Sequence, residues 1–139
     1  MTSRIASIYA GVKAAIEAIV PTQLVASASS FKLVSTADGR TRTFQLDDGN
    51  DTPEPDIANA YFHHQYFTVS IFYSNEWKSN TATRATVIAE DADSVCRAVV
   101  AGTTWAAYGQ SMIYYNRNSQ NVSNGILSVL TFIVTYKEP

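Results

Sequence analysis

The sequence predicts an α+β domain: a mainly antiparallel β-sheet with two α-helices packed on one face, plus a β-hairpin. Three observations carry this prediction. Residues 3–20 and 81–101 repeat apolar side chains at the three-and-four spacing of a helix with one buried face. Residues 61–75 and 126–136 are rich in β-branched and aromatic residues, the composition of strands. The strands also come in runs instead of alternating with helices, which separates α+β from α/β domains. At 139 residues the chain reads as one domain, 1–139. A chain of this length buries roughly 70% of its unfolded surface, so it needs no metal or disulfide to fold.

Along residues 3–20 the apolar stripe is Ile5, Ile8, Tyr9, Val12, Ala15, Ile16, Ile19 and Val20. Thr2 or Ser3 supplies a cap, and Pro21 stops the helix because it disfavours helical geometry at Val20. Residues 22–26 start a short strand. Residues 31–36 and 41–46 flank Ala37-Asp38-Gly39-Arg40, and Asp-Gly between alternating runs is a hairpin signal. Residues 47–60 break the pattern. Five acids and two prolines lie between Asp47 and Asp56, so a long loop is expected there.

Residues 61–75 then form a long strand, with Phe67, Val69, Ile71 and Tyr73 on one face and Tyr66, Thr68, Ser70 and Phe72 on the other. In the second helix Ile88, Ala92, Val95, Cys96, Val99 and Val100 fall on one side, while Asp91, Asp93 and Arg97 are expected to face out. A strand over 83–89 is the alternative for its first half. Residues 103–110 are irregular and hold Trp105. Residues 111–115 read as a strand and 116–125 as a turn region rich in Asn and Ser. The final stretch, 126–136, is apolar on both faces, so an interior strand covered on both sides is expected, antiparallel to its predecessor.

Composition narrows function. A net charge of −2 argues against the basic patch of a nucleic-acid-binding surface. The one cysteine, Cys96, cannot form an internal bridge, which fits a reducing compartment. No apolar run reaches the ~20 residues of a membrane span. Ser7, Lys13 and Glu17 interrupt any signal-peptide core, so assembly in a cytoplasm is expected.

Candidate chemistry is sparse. His63 and His64 are adjacent, so in a strand they point to opposite faces and cannot share one ion. Asp47, Gly49 and Asp51 are arranged a little like a calcium loop but lack its sixth-position glycine and distal glutamate. Asn121-Val122-Ser123 matches a glycosylation sequon without a secretory signal. No phosphate-binding glycine loop occurs, and no motif surrounds any serine. No catalytic residue, metal or cofactor is expected, and an enzyme is not the expected class.

Two features point to assembly. The aromatic density of Tyr61, Phe62, Tyr66, Phe67, Phe72 and Tyr73 exceeds what two helices can cover, which suits a subunit interface. Arg40 and Arg42 precede an acidic stretch, and residues 43–77 contain no Lys or Arg. Unlike charge on unlike edges can join copies head to tail into a ring. The candidate interface residues are Asp38, Arg40 and Arg42 at the hairpin tip and Asp47, Asp48, Asp51 and Glu54 in the acidic stretch.

The pattern resembles the tail terminator proteins of long-tailed bacteriophages, the lambdoid type in particular. The resemblance lies in the closing strand Leu130-Thr131-Phe132-Ile133-Val134-Thr135-Tyr136, the opening helix followed by a proline, and Thr68-Val69-Ser70-Ile71-Phe72 followed by a helix carrying Asp91-Ala92-Asp93 and the stripe Val95, Val99. It spans most of the chain in element order and only the last strand in residues. The segments 31–46 and 103–110 have no counterpart in the pattern, which keeps head-completion and other neck proteins open. The resemblance implies a homo-oligomer, a hexameric ring in the virion tail or neck. Such a ring caps the tail tube, ends its polymerisation, and docks on the head-side connector, and DNA passes through its lumen without specific binding. The alternative from a different class is a cytosolic α+β module that binds a small molecule in an aromatic pocket near Tyr66, Tyr73 and Trp105.

Overall fold

A computed structural model describes residues 4–18, 24–26, 42–55, 61–75, 81–101, 111–123 and 125–137. The elements run α1 (Arg4–Glu17), β1 (Leu24–Ala26), β2 (Arg42–Pro55), β3 (Tyr61–Ser74), α2 (Thr81–Val100), β4 (Ser111–Val122) and β5 (Gly125–Lys137). The strands form one five-stranded sheet in the order β1-β2-β3-β5-β4. β1 runs parallel to β2, and every other neighbouring pair is antiparallel. This is the predicted α+β class.

The long strand β3 and the closing strand β5 are the centre of the sheet. They pair without a break from Phe62↔Lys137 to Ser74↔Gly125. Directly opposed residues share a face, so Phe67↔Phe132, Val69↔Leu130 and Ile71↔Ser128 form one surface and Tyr66↔Ile133, Thr68↔Thr131 and Ser70↔Val129 the other. The first surface is the core. Phe67, Val69, Tyr73, Leu130, Phe132 and Val134 are fully buried there with Ile8, Val12 and Ile16 of α1 and Val95 and Val99 of α2. Both helices therefore cover the same face. Burying each of the three α1 side chains contributes about 1.5–3 kcal/mol, enough to hold a helix too short to be stable alone. Phe67 stacks on Phe132 at 5.4 Å and takes the edge of Tyr9 at 5.4 Å.

Several elements differ from expectation. The acidic stretch is not a loop: β2 carries on through Asp47, Asp48, Asp51 and Glu54 to Pro55, paired with β3 to the end. One bulge, between Asp48 and Asp51, absorbs the extra residue. Gly49 sits in it, where a Cβ would lie 2.7 Å from the Tyr66 carbonyl oxygen. Pro53 and Pro55, two apart, lie on the same edge of the strand. A paired strand tolerates them only where the missing N–H would face away from its neighbour.

The predicted hairpin partner at residues 31–36 lies outside the described residues. Its other arm is present, but Arg42, Thr43 and Phe44 pair with β1 on one side, and Phe44 pairs with Ile71 of β3 on the other. β4 also outruns expectation. It continues through the Asn- and Ser-rich run to Val122, which pairs with Gly125 at the start of β5. Residues 83–89 are helical. Asp91, expected to face out, is buried and accepts a 2.8 Å hydrogen bond from the Tyr73 hydroxyl. Asp93 and Arg97 do face out, as an exposed i,i+4 pair at 3.0 Å that contributes a few tenths of a kcal/mol.

Candidate interaction surface

The sheet has one face under the helices and one that no described element packs on. Tyr66, Thr68, Val129, Thr131 and Ile133 are half-buried on that second face, and Ser70 and Phe72 are buried. It continues onto β4, where Ile113 is opposite Ile133 and Tyr115 meets Tyr66 edge-on at 5.8 Å. The most exposed large apolar side chains lie here: Ile113 is 54% and Tyr115 58% accessible. Tyr114, exposed on the helix side, touches Phe132.

β4 is an outer strand, and Met112 is its one buried residue. Its twelve residues carry a single charge, Arg117, and no proline. Exposed, uncharged edges of this kind are templates for another strand, and proteins usually guard them. The sequence predicts an end at Tyr115 because the following Asn-Arg-Asn-Ser-Gln-Asn run has the composition of a turn. The missed signal is that a strand solvated on both faces is polar on both faces.

The opposite margin is guarded. Among the described residues, β1 pairs with β2 as far as Phe44, and no strand continues that pairing alongside Gln45–Pro55. Asp47, Asp48 and Asp51 are all exposed. Their side chains split across the sheet. Asp47 lies on the uncovered face and accepts from Gln45 Nε2 at 3.1 Å. Asp48 lies on the helix face and accepts from the Tyr9 hydroxyl. Asp51 lies on the helix face beyond the bulge, its Oδ2 2.8 Å from Nδ1 of His63. Since an ionised carboxylate only accepts, His63 Nδ1 carries the proton. His63 also stacks on Tyr136 at 5.0 Å. Buried Gln65 secures the bulge, donating to the carbonyls of Gly49 and Tyr66 at 2.9 Å each.

The predicted interface residues therefore do not form one patch. Asp48 and Asp51 share a face and Asp47 has the other. Glu54 is opposite Phe62 and Arg42 is opposite Leu24 in the ladder. Asp38 and Arg40 lie outside the described residues. The two histidines do point to opposite faces, since His64 bonds Thr135 at 3.0 Å on the uncovered side. The small-molecule pocket loses its geometry: Tyr66 and Tyr73 lie on opposite faces of β3, and Trp105 is outside the described residues. Asp47 and Asp51, on opposite faces, do not converge as calcium ligands. Among the described residues no three His, Cys, Asp or Glu side chains are grouped to hold a metal.

Among the described residues three groups have altered acidities. Burial, aided by Cys96 and opposed by Arg117, pushes the pKa of the Tyr114 phenol up. Burial, and then the hydrogen-bonded carboxylate of Asp48, push the Tyr9 phenol well above its ordinary value. Burial, aided by Asp93 and opposed by Arg117, pushes the Cys96 thiol up to about 11. Such a thiol is protonated at neutral pH and is a poor nucleophile. Among the described residues, no helix is long and apolar enough to cross a membrane. Compared with protein-family models and with curated proteins, the chain matches none.

Proposed function

We propose that this chain is a structural virion protein, not an enzyme. In this reading copies join into a ring, with six as the expected number, that caps a phage tail tube, ends its polymerisation and joins it to the head-side connector. It assembles in the host cytoplasm and ends up in the tail or neck of the virion. DNA passes through the lumen without specific binding, which a chain of net charge −2 suits better than a basic one.

The observation that supports this most is the unguarded side of the sheet. β4 exposes Ile113, Tyr115 and Val122 next to half-buried Tyr66 and Ile133, on the sheet face that no described element packs on. Apolar surface of that kind marks protein–protein contact sites. The element order and closing strand that resemble tail terminators supply the kind of assembly. Purified protein, alone and mixed with tail tubes, tests the reading by light scattering and negative-stain microscopy. Closed rings, or monomers that collect on tube ends, are expected. A stable monomer indifferent to tubes overturns it.

A further inference from the structure

We infer that the second half of β4, residues 116–122, pairs antiparallel with the same stretch of a second copy about a two-fold axis. This pair goes beyond the ring reading and does not rest on it: it uses the edge of the strand, whereas the ring reading uses the apolar patch around Ile113 and Tyr115.

The edge is open. β4 is the last strand of the sheet, and all of its residues except Met112 are exposed. Val129 and Thr131 of β5, flanked by a strand on each side, are half-buried on the uncovered face. Asn118 and Asn116, beside them on the same face of β4, are exposed. The difference is an outer neighbour that β4 lacks. A strand edge presents a line of backbone donors and acceptors, and another strand is what satisfies such a line.

Composition selects a second copy as that strand. Residues 116–122 read Asn-Arg-Asn-Ser-Gln-Asn-Val, with one charge and no proline. Asn, Gln and Ser side chains both donate and accept hydrogen bonds, so a strand built from them is complementary to itself. A row of acids such as Asp47, Asp48 and Asp51 of β2 only accepts and would repel its own copy.

The bulge limits the register. Residues 116–122 pair with β5 without a break, from the bulge between Tyr114 and Asn116 to the Val122↔Gly125 pair. Full overlap of two such runs puts Ser119 on the axis, opposite its own copy. Asn118 is then opposite Gln120, Arg117 opposite Asn121, and Asn116 opposite Val122. Directly opposed residues must share a face, and these do: Asn116, Asn118, Gln120 and Val122 lie on the uncovered face, and Arg117, Ser119 and Asn121 on the helix face. Arg117 avoids its copy, because four residues at ~3.4 Å each hold the two backbones roughly 14 Å apart. That exceeds the screening length of about 8 Å at physiological salt. The two sheets become one, with the helices of both copies on the same side, and the contact closes on itself at two chains.

A charge swap tests this. One variant carries Asn118→Lys with Gln120→Lys, and the other Asn118→Glu with Gln120→Glu. Both positions are exposed and outside the helix-covered core. In the pair each faces the other across the joint, so like charges meet twice. Light scattering should show the wild type moving from 15.2 kDa to twice that mass as concentration rises, and each variant alone staying at 15.2 kDa. An equal mixture of the variants should regain the pair. A variant that pairs alone as the wild type does overturns the joint, and so does a mixture that stays single. Hydrogen exchange on the wild type needs no variant: the outward amides of 116–122 should slow as the pair forms. Association with those amides unprotected overturns the joint and leaves the ring reading standing. A pair through β4 in protein that ignores tail tubes keeps the joint and overturns the tail role. A wild type that is monomeric at every concentration overturns the joint, and the tube-end assay then decides the ring reading separately.

Discussion

β2 and β4, on opposite sides of the central pair, are alike in plan and opposite in finish. Each is long, each pairs antiparallel with a central strand, and each has one bulge. β2 is fastened by side chains. Tyr9 reaches Asp48, His63 reaches Asp51, and Gln65 reaches Gly49, while exposed acids line the stretch that no described strand flanks. β4 is fastened by its backbone ladder to β5, by Met112, and by the contact of Tyr114 with Phe132. Among the described residues nothing comparable guards it. Edges that face only water acquire the first set of devices. An edge that lacks them is tolerable where something covers it, and this contrast carries more weight than any single exposed residue.

The contrast can be broken first at two glycines, one near each margin. A Cβ on Gly125, where the β4–β5 hairpin begins its return, would stand 2.1 Å from the Tyr73 carbonyl oxygen. On Gly49 the distance to the Tyr66 oxygen would be 2.7 Å. Both obstacles are backbone, but Gly49 is exposed in a bulge that can shift, whereas Gly125 is buried against β3. Gly125→Ala should cost about 3 kcal/mol and Gly49→Ala about 1–2 kcal/mol in urea unfolding. Equal costs would mean that the two margins are equally rigid.

Next come neighbours on β4. Met112 is 5% accessible and Ile113 is 54%. Met112→Ala should therefore cost the monomer about 2–3 kcal/mol, and Ile113→Ala less than about 0.5 kcal/mol. The same Ile113 change is expected to weaken assembly, so stability and self-association should separate at adjacent positions. If Ile113→Ala destabilises the monomer as much as Met112→Ala does, something within the chain already covers β4.

How much of this was legible beforehand follows from the same two margins. The interior was readable because β3 and β5 are apolar with regular alternation, and burial is what alternation records. The helices were readable for the same reason. The margins were not, because an edge strand has no buried periodicity over much of its length. The acids, Gly49, Pro53 and Pro55 spelled a loop, yet each strand-breaking residue sits where an edge permits it. The Asn- and Ser-rich half of β4 spelled a turn because water lies on both sides of it. Asp91 was misplaced because a helical period cannot show that Tyr73, buried across the interface, needs an acceptor for its hydroxyl. Of the candidate interface residues, Asp47, Asp48 and Asp51 are exposed as expected, but the bulge and the pleat divide them between faces, which sequence spacing could not reveal.

The fastening of β2 gives two smaller tests. Gln65→Leu removes the donor to Gly49 and Tyr66 and leaves two carbonyls less satisfied, so about 1–2 kcal/mol should be lost. No loss would mean that the bulge holds without it. Tyr9 gives a pH effect with a definite sign. Its folded acidity constant lies above the ordinary 10.0, so above about pH 10 the unfolded chain releases a proton that the folded chain keeps. Stability should fall as pH rises past that value. In thermal unfolding between pH 8 and 11, Tyr9→Phe should show a shallower decline than wild type. A parallel decline would exclude the Tyr9 phenol as its source.

The smallest effect should be a gain, and it lies inside the sheet beside β4. Ser128 is fully buried on the helix face of β5, between Ile71 of β3 and Ser119 of β4, and its hydroxyl has no hydrogen-bond partner. A buried hydroxyl without a partner keeps its desolvation cost and recovers nothing. Replacing it with a methyl hydrogen loses almost no packing volume. Ser128→Ala should therefore leave stability unchanged or raise it by up to about 1 kcal/mol. A loss of that size would show instead that the hydroxyl is bonded in solution, with Ser119 across the ladder the nearest candidate. β4 would then have a side-chain fastening after all, and the contrast between the two margins would narrow.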